Sequence, residues 1–255
     1  MKETNKWPPE ILPRDDGVTI AYRRIDGKAP CVVFLGGFMS DMQGIKAVEL
    51  EWYCRSAGQA FTRFDYRGHG ESTGNFEDGT ISDWLSDALA VIDNCTEGPL
   101  VLVGSSMGGW IMLLVALARS ERVAGMIGIA AAPDFTRDLM WDRFTEDIKN
   151  TLKTEGVYYE PSEYGEEPYT VTMKLIEDGR NHLLLDRTIA LHCPVRLLHG
   201  MRDDSVPWIT ASRIADKILS DDVRIFLVKD GDHRLSRDQD IVRLKLTLEE
   251  LLAEI

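Results

Sequence analysis

The chain has 255 residues, 44% of them hydrophobic and 28% charged, enough for one large α/β domain or two small ones with a substantial core. Its 42 acidic and 29 basic side chains give a formal net charge of -13, and no basic patch offsets it, so nucleic acid and anionic membranes are excluded as expected partners. The 4 cysteines, Cys31, Cys54, Cys95 and Cys193, are scattered without ligand spacing, which predicts reduced thiols and neither a zinc site nor a disulfide scaffold.

No apolar run approaches the ~20 residues of a bilayer span, and the first residues carry no apolar signal core. With the unpaired thiols, this predicts a cytoplasmic location.

In chain order, residues 1–16 are rich in proline and charge and should wrap the surface. Residues 18–24 alternate as a strand, 27–30 read as a turn, and 31–35 form a short apolar run suited to a strand buried on both faces. A glycine-rich loop follows at 36–40, then a helix to about 57 and a strand at 60–64, which ends in Asp65-Tyr66-Arg67-Gly68-His69-Gly70-Glu71-Ser72. Thr80 and Asp83 make a capping-box pattern for a helix with an apolar stripe of Ile81, Trp84, Leu85, Ala88, Leu89 and Ile92. Residues 100–103 are a buried strand, 104–109 a sharp turn, and an apolar helix opens at Trp110. Residues 123–129 are the next strand.

That rhythm stops between 134 and 192. Here a helix would carry Trp141, Phe144, Ile148 and Leu152 on one face, followed by an irregular stretch at 158–169 and a second helix at 171–177. Helices inserted over the carboxyl end of a sheet would form a lid. Alternation then resumes with a strand at 195–198, a helix at about 209–219, a strand at 223–228 and a terminal helix opening at Ser236, with Gln239 in capping-box spacing. Strands separated by helices this regularly predict one α/β domain with a mostly parallel sheet, helices on both faces and a lid inserted at about 134–192.

The chemistry centres on Gly104-Ser105-Ser106-Met107-Gly108, the G-x-S-x-G pattern of a nucleophile elbow. At 104 and 108 a Cβ would collide with neighbouring chain, and a serine at such a strained turn stands clear of the sheet beside helix NH groups that favour a developing oxyanion. Ser106 is thus the candidate nucleophile. A serine hydroxyl needs a base and an acid to orient that base. Of the 5 histidines, His233 follows the last strand and precedes the terminal helix, where the base is expected. His69 lies upstream of the serine, His182 and His192 belong to the insertion, and His199 sits at the end of its strand before a glycine. Asp203 and the adjacent Asp204 both follow the strand at 195–198, and Asp134, after the preceding strand, is a further candidate for the acid. Trp110 and Trp208 lie close to the elbow and the acid loop in sequence and are candidate substrate-binding residues.

The elbow, Gly200 to Pro207, Gly231 to His233 and the loop at 65–72 together resemble the α/β-hydrolase superfamily over essentially the whole chain. Longer phrases, 104–110, 196–201 with Asp203-Asp204, and Val206-Pro207-Trp208, resemble a narrower group, the mitochondrial palmitoyl-protein thioesterases that also hydrolyse the acyl glucuronide of mycophenolic acid. The first residues read as lacking a mitochondrial presequence, which would set this chain apart from that group.

The resemblance implies the triad order Ser106, Asp203, His233, because an aspartate three residues after the glycine and four before the proline selects Asp203. It also implies an oxyanion hole from the backbone NH groups of Met107 and Phe38, with Gly36-Gly37 in place of the usual histidine-glycine pair. The expected activity is hydrolysis of a carboxylic ester or thioester on a small molecule or an acylated protein, through an acyl-serine. No cofactor or metal is called for, since neither H-E-x-x-H nor G-x-x-x-x-G-K occurs. The apolar stripe of the insertion suggests a medium or long acyl chain. A ligand-binding or signalling module with little turnover is the alternative.

Overall fold

A computed structural model describes residues 8–160 and 168–255. The chain opens with strands β1 (Glu10–Pro13), β2 (Thr19–Ile25) and β3 (Lys28–Leu35), then helix α1 (Ile45–Ser56), strand β4 (Gln59–Phe64) and helix α2 (Ile81–Cys95). Next come β5 (Leu100–Ser105), α3 (Met107–Ala118) and β6 (Val123–Ile129). The insertion contributes α4 (Glu146–Glu155), β7 (Val157–Glu160), β8 (Tyr169–Thr172) and α5 (Met173–Gly179). The chain finishes with β9 (Val195–Gly200), α6 (Ile209–Lys217), β10 (Val223–Val228) and α7 (Asp238–Glu254).

Eight of these strands form one sheet in the order β1-β2-β4-β3-β5-β6-β9-β10. Only the β1-β2 and β2-β4 pairings are antiparallel. From β4 to β10 every neighbour is parallel, so the carboxyl ends of β3, β5, β6, β9 and β10 finish along one edge. That edge is where an open α/β sheet places its ligands.

Alternation on the central strand divides the core. Leu100 and Leu102 of β5 face α2 and α3 with Trp84, Ile92 and Ile111, while Val101 and Val103 face α1 and α7 with Leu50, Leu244 and Leu248. Helix α3 is buried on every side from Met107 to Ala116, as its apolar sequence requires. Thr80 caps α2 by accepting from the Asp83 NH at 3.1 Å, a contact typically worth about 1 kcal/mol.

Several local readings are corrected. The turn expected at 27–30 is shorter, because β3 already begins at Lys28, and β1 is an edge strand within the proline-rich start. Of that start, residues 1–7 lie outside the described residues. Helix α3 begins at Met107 instead of Trp110. Terminal helix α7 starts one step later than Ser236 and Gln239 suggest, with the Asp240 carboxylate accepting from the Arg237 NH at 3.1 Å.

The insertion departs most from its reading. The expected helix from Trp141 to Leu152 is two pieces, a π-helical turn over Thr136–Trp141 and the separate helix α4. The stretch at 158–169 contributes to an antiparallel pair, β7 with β8, and its residues 161–167 lie outside the described residues. Phe144, Leu152, Val171 and Ile176 form a small core of the insertion's own, with Trp141 and Ile148 packed on it. The apolar stripe therefore faces inward within the insertion, and does not supply the acyl-facing surface.

Candidate active site

Ser106 sits between β5 and α3 with φ 54° and ψ -119°, a conformation that costs a non-glycine residue of order 1–3 kcal/mol. The surrounding backbone holds it there. Its NH donates to the Ile129 carbonyl at 2.9 Å, and its carbonyl accepts from Gly109 at 2.8 Å and Ala132 at 3.0 Å. The two flanking glycines are close-approach positions. A Cβ at Gly104 would lie 2.4 Å from the Gly108 oxygen, and one at Gly108 would lie 2.1 Å from the Leu35 oxygen. Residues with side chains there would push the elbow away from the loop that follows β3.

His233 lies on the loop between β10 and α7, and Asp203 on the loop between β9 and α6. These loops are bound to one another, since Met201 donates to the Val228 carbonyl at 2.8 Å and Arg202 to the Gly231 carbonyl at 2.9 Å. His233 Nε2 stands 3.1 Å from Ser106 Oγ, and its Nδ1 stands 2.8 Å from Asp203 Oδ2. The other carboxylate oxygen accepts from the NH groups of Ser205 at 3.0 Å and Val206 at 2.7 Å. Burial alone would raise the Asp203 carboxyl, but the bonds from His199, His233 and the Val206 NH outweigh it and hold it at about 2. Asp203 is therefore an anion throughout the neutral range.

The other carboxylates have different surroundings. Asp204 lines the cavity above Ser106 and is exposed. Asp134 is fully buried and accepts from the NH groups of Leu184 at 2.8 Å and Leu185 at 2.9 Å, so it ties the start of the insertion to its return. Burial pushes its carboxyl up, against those two bonds.

The loop after β3 crosses directly over the elbow, where a Cβ on Gly37 would lie 3.5 Å from Ser106 Cβ. Phe38 follows, its ring 5.0 Å from Phe76 and 5.7 Å from Phe135, and Met39 takes φ 51° immediately after it. Met107 is the first residue of α3, whose opening NH groups have no partner within the helix.

Asp65 fastens this loop by accepting from the Met42 NH at 2.6 Å and, across the motif at 65–72, from the Glu71 NH at 2.8 Å. Burial raises the Asp65 carboxyl to about 6 despite these bonds, with Asp41 and Glu71 adding to the rise and Arg63 as the cation facing it. A folded value above the ordinary 3.8 means that stability from this group is complete below pH 3.8 and lost as pH climbs through about 6. The stability advantage of wild type over Asp65→Asn, measured by urea unfolding, should therefore shrink between about pH 3 and pH 7, by up to about 3 kcal/mol, with most of the change between 3.8 and about 6. A constant difference would refute this account of Asp65.

The cavity above Ser106 has a volume of about 350 Å³, and its walls include Phe38, Phe135, Leu139, Met140 and Val206 together with Arg143, Glu160, Tyr169 and Asp204. The sequence reading missed its insertion-derived walls. The available signal was Phe135-x-x-x-Leu139-Met140, placed directly after the carboxyl end of β6. Neither candidate tryptophan reaches the cavity. Trp110 is fully buried, one layer behind Phe135 at 5.5 Å between rings, and its indole NH donates to the His182 carbonyl at 3.0 Å. Trp208 stands at the start of α6, 36% exposed and off the cavity wall, while Ser205 and Val206 occupy the lining positions.

A second serine, histidine and aspartate meet at the base of the insertion. Ser82 Oγ lies 2.6 Å from Asp178 Oδ1 and 2.7 Å from His182 Nε2. An ionised carboxylate only accepts, so Ser82 donates to Asp178 and receives from His182. The histidine cannot deprotonate a serine from which it takes no proton, and the cluster acts as a clamp between α2 and α5.

A mostly parallel sheet carrying a strained serine after a central strand, with histidine and aspartate on later loops, is the arrangement of an α/β hydrolase. A family model described as serine aminopeptidase, S33 (Hydrolase_4), matches residues 28–158. Human mitochondrial palmitoyl-protein thioesterase ABHD10 is 42% identical over 246 residues, 96% of this chain and 80% of the human one. Two solved structures superpose with TM-scores of 0.91. They are α/β-hydrolase domain-containing protein 10 from mouse, 40% identical with 97% of this chain and 99% of the other covered, and a hydrolase from Agrobacterium vitis S4, 41% identical with 96% and 99% covered. The chain belongs to the α/β-hydrolase superfamily, and within it to the family of the palmitoyl-protein thioesterase ABHD10. It is an enzyme of the ester- and thioester-hydrolysing kind.

The expected cytoplasmic location is corrected by the palmitoyl-protein thioesterase relatives, which are named as mitochondrial. Its basis was weak physically, because unpaired thiols report a reducing environment and give no address within the cell.

Proposed function

We propose that the chain hydrolyses a carboxylic ester or thioester through an acyl-Ser106 intermediate. One observation carries this reading: Ser106 Oγ, His233 and Asp203 form a single hydrogen-bonded line, with contacts of 3.1 Å and 2.8 Å, under a cavity of about 350 Å³. His233 takes the serine proton as Oγ attacks the acyl carbonyl, then returns it to the departing alcohol or thiol. Water, deprotonated by the same imidazole, releases the acid. Asp203 holds the ring with Nδ1–H toward itself and Nε2 free to accept. The NH groups of Phe38 and Met107 donate to the oxyanion, a contribution typically worth about 10²- to 10³-fold in kcat per donor.

The insertion acts as a lid whose apolar contribution comes from Phe135, Leu139 and Met140. Those residues suit a medium or long acyl chain, and the relative's name, palmitoyl-protein thioesterase, supports an acylated protein or a small acyl thioester as substrate. The charged walls at Arg143, Glu160 and Asp204 suit a polar leaving group.

A fluorophosphonate probe followed by peptide mapping tests the reading. The expected adduct is on Ser106 in the wild type and absent in His233→Ala. A folded protein that acquires no Ser106 adduct would overturn the acyl-serine reading.

A further inference from the structure

His199 closes β9 one residue before Gly200 and is 1% exposed. Its Nε2 lies 3.0 Å from the Val206 carbonyl oxygen and 3.2 Å from Asp203 Oδ2. A carbonyl and an ionised carboxylate are both acceptors, so Nε2 carries a hydrogen whatever the charge of the ring. The better-aimed bond goes to Val206. That residue belongs to the turn whose NH groups, from Ser205 and Val206, bind the other oxygen of Asp203 at 3.0 Å and 2.7 Å. One buried imidazole thus fixes the turn through its carbonyl and stands against the same carboxylate oxygen that His233 engages at 2.8 Å.

Among the described residues, His199 and His233 are the titratable groups within ion-pair distance of Asp203. On the adjoining loops, Asp204 faces the cavity and Asp232 accepts from the Leu235 NH at 2.9 Å. Parallel pairing sets Leu227 of β10, which carries no titratable group, opposite His199.

We infer that His199 is a positioning residue for acyl transfer, holding the Asp203 turn where Oδ2 can orient His233. The inference rests on the triad reading above. Without the Nε2–H, the Val206 carbonyl is left buried and unpaired, and Asp203 Oδ2 loses its second donor. The turn is then held from one side alone, and the carboxylate presents more of its charge to His233.

The test compares His199→Phe, His199→Gln and His199→Asn by kcat, KM and the pH profile of kcat/KM, with thermal melting and fluorophosphonate labelling alongside. Phenylalanine keeps the ring shape without a donor. The glutamine amide reaches the place of Nε2, whereas the asparagine amide stops near Nδ1. The expected result is a kcat lower by about tenfold or more in the Phe and Asn variants, with KM within about twofold, because base orientation matters in the transition state and little in ground-state binding. The acidic limb of kcat/KM should move to higher pH in both, since a less-shared carboxylate favours the protonated imidazole that cannot act as base. Gln should restore most of kcat and the wild-type limb.

Wild-type kcat and limb in the Phe variant would overturn the inference, as would a Gln variant as impaired as Phe. Should Phe fail to fold, the smaller Asn variant decides by the same criteria. Failure of the wild type to label at Ser106 would instead remove the triad reading itself, a separate outcome.

Discussion

Ser106→Ala should lower kcat for acyl ester and thioester substrates by about 10⁴- to 10⁶-fold while leaving the fold intact, because a nucleophile and its base, the roles proposed for Ser106 and His233, act as one unit. The variant removes a single oxygen at a position whose backbone is held by three main-chain bonds, from Ser106 to Ile129 and from Gly109 and Ala132 to Ser106. The φ of 54° persists with alanine, and melting should shift little. Non-additivity makes the experiment specific. His233→Ala should cost a similar factor, and the double variant should be no slower than either single one, because a base without a nucleophile has nothing to activate. Multiplicative losses would mean that the two residues act separately, which the 3.1 Å contact does not allow. The residual rate should resemble that of an active site retaining its oxyanion donors and its binding walls. Measured with acyl groups of increasing length, wild-type kcat/KM should rise from short to medium chains as Phe135, Leu139 and Met140 are engaged.

The parts of this site that were legible in the sequence are those whose backbone is exceptional. Gly104 and Gly108 announce an elbow because nothing larger fits within 2.4 Å and 2.1 Å of neighbouring carbonyl oxygens. The strands around it are buried on both faces, so they read as short apolar runs that stop abruptly at the edge where function gathers. The same glycines misled the helix boundary. Gly108 and Gly109 are poor helix formers in isolation, yet α3 begins at Met107, since their missing side chains are what allow the helix to approach Leu35 and Ala131.

The insertion was hard to read for a different reason. It builds a separate core around Phe144, Leu152, Val171 and Ile176, so the apolar stripe from Trp141 to Leu152 describes its own packing and carries no information about the cavity. Strands β7 and β8 are only four residues each, too short for alternation to register beside the glutamates and prolines around them. Trp110 was misjudged because nearness in sequence to Ser106 says nothing of direction. A residue four positions along a helix buried on all sides can point into the core as easily as into the cavity. His199 was set aside for lying at a strand end before a glycine. Its role depends on a contact across a tight turn, from 199 to 203 and 206, that strand periodicity does not encode.

Adjacent aspartates in the acid loop make a second large effect decisive. Asp203→Asn should lower kcat by about 10⁴-fold, whereas Asp204→Asn should stay within about tenfold of wild type. The reason lies in the donors around Asp203. Oδ1 faces the NH groups of Ser205 and Val206, and Oδ2 faces His233 Nδ1 at 2.8 Å and His199 Nε2 at 3.2 Å. An asparagine must turn its NH₂ toward one of these sides. Toward Ser205 and Val206 it sets donors against two backbone donors. Toward the histidines it drives His233 to accept at Nδ1, which places the ring hydrogen on Nε2, where it blocks removal of the Ser106 proton. The carboxylate, held at about 2, avoids both conflicts and is ionised at every pH where the enzyme would work. Asp134→Asn separates structure from catalysis, because that carboxylate takes two backbone NH groups at the root of the insertion and touches neither Ser106 nor His233. It should cost about 1–3 kcal/mol of stability, with kcat changed far less than in Asp203→Asn. If Asp204→Asn instead showed the 10⁴-fold loss, the acid would be the residue facing the cavity, and the line from Ser106 through His233 would have to swing outward to meet it.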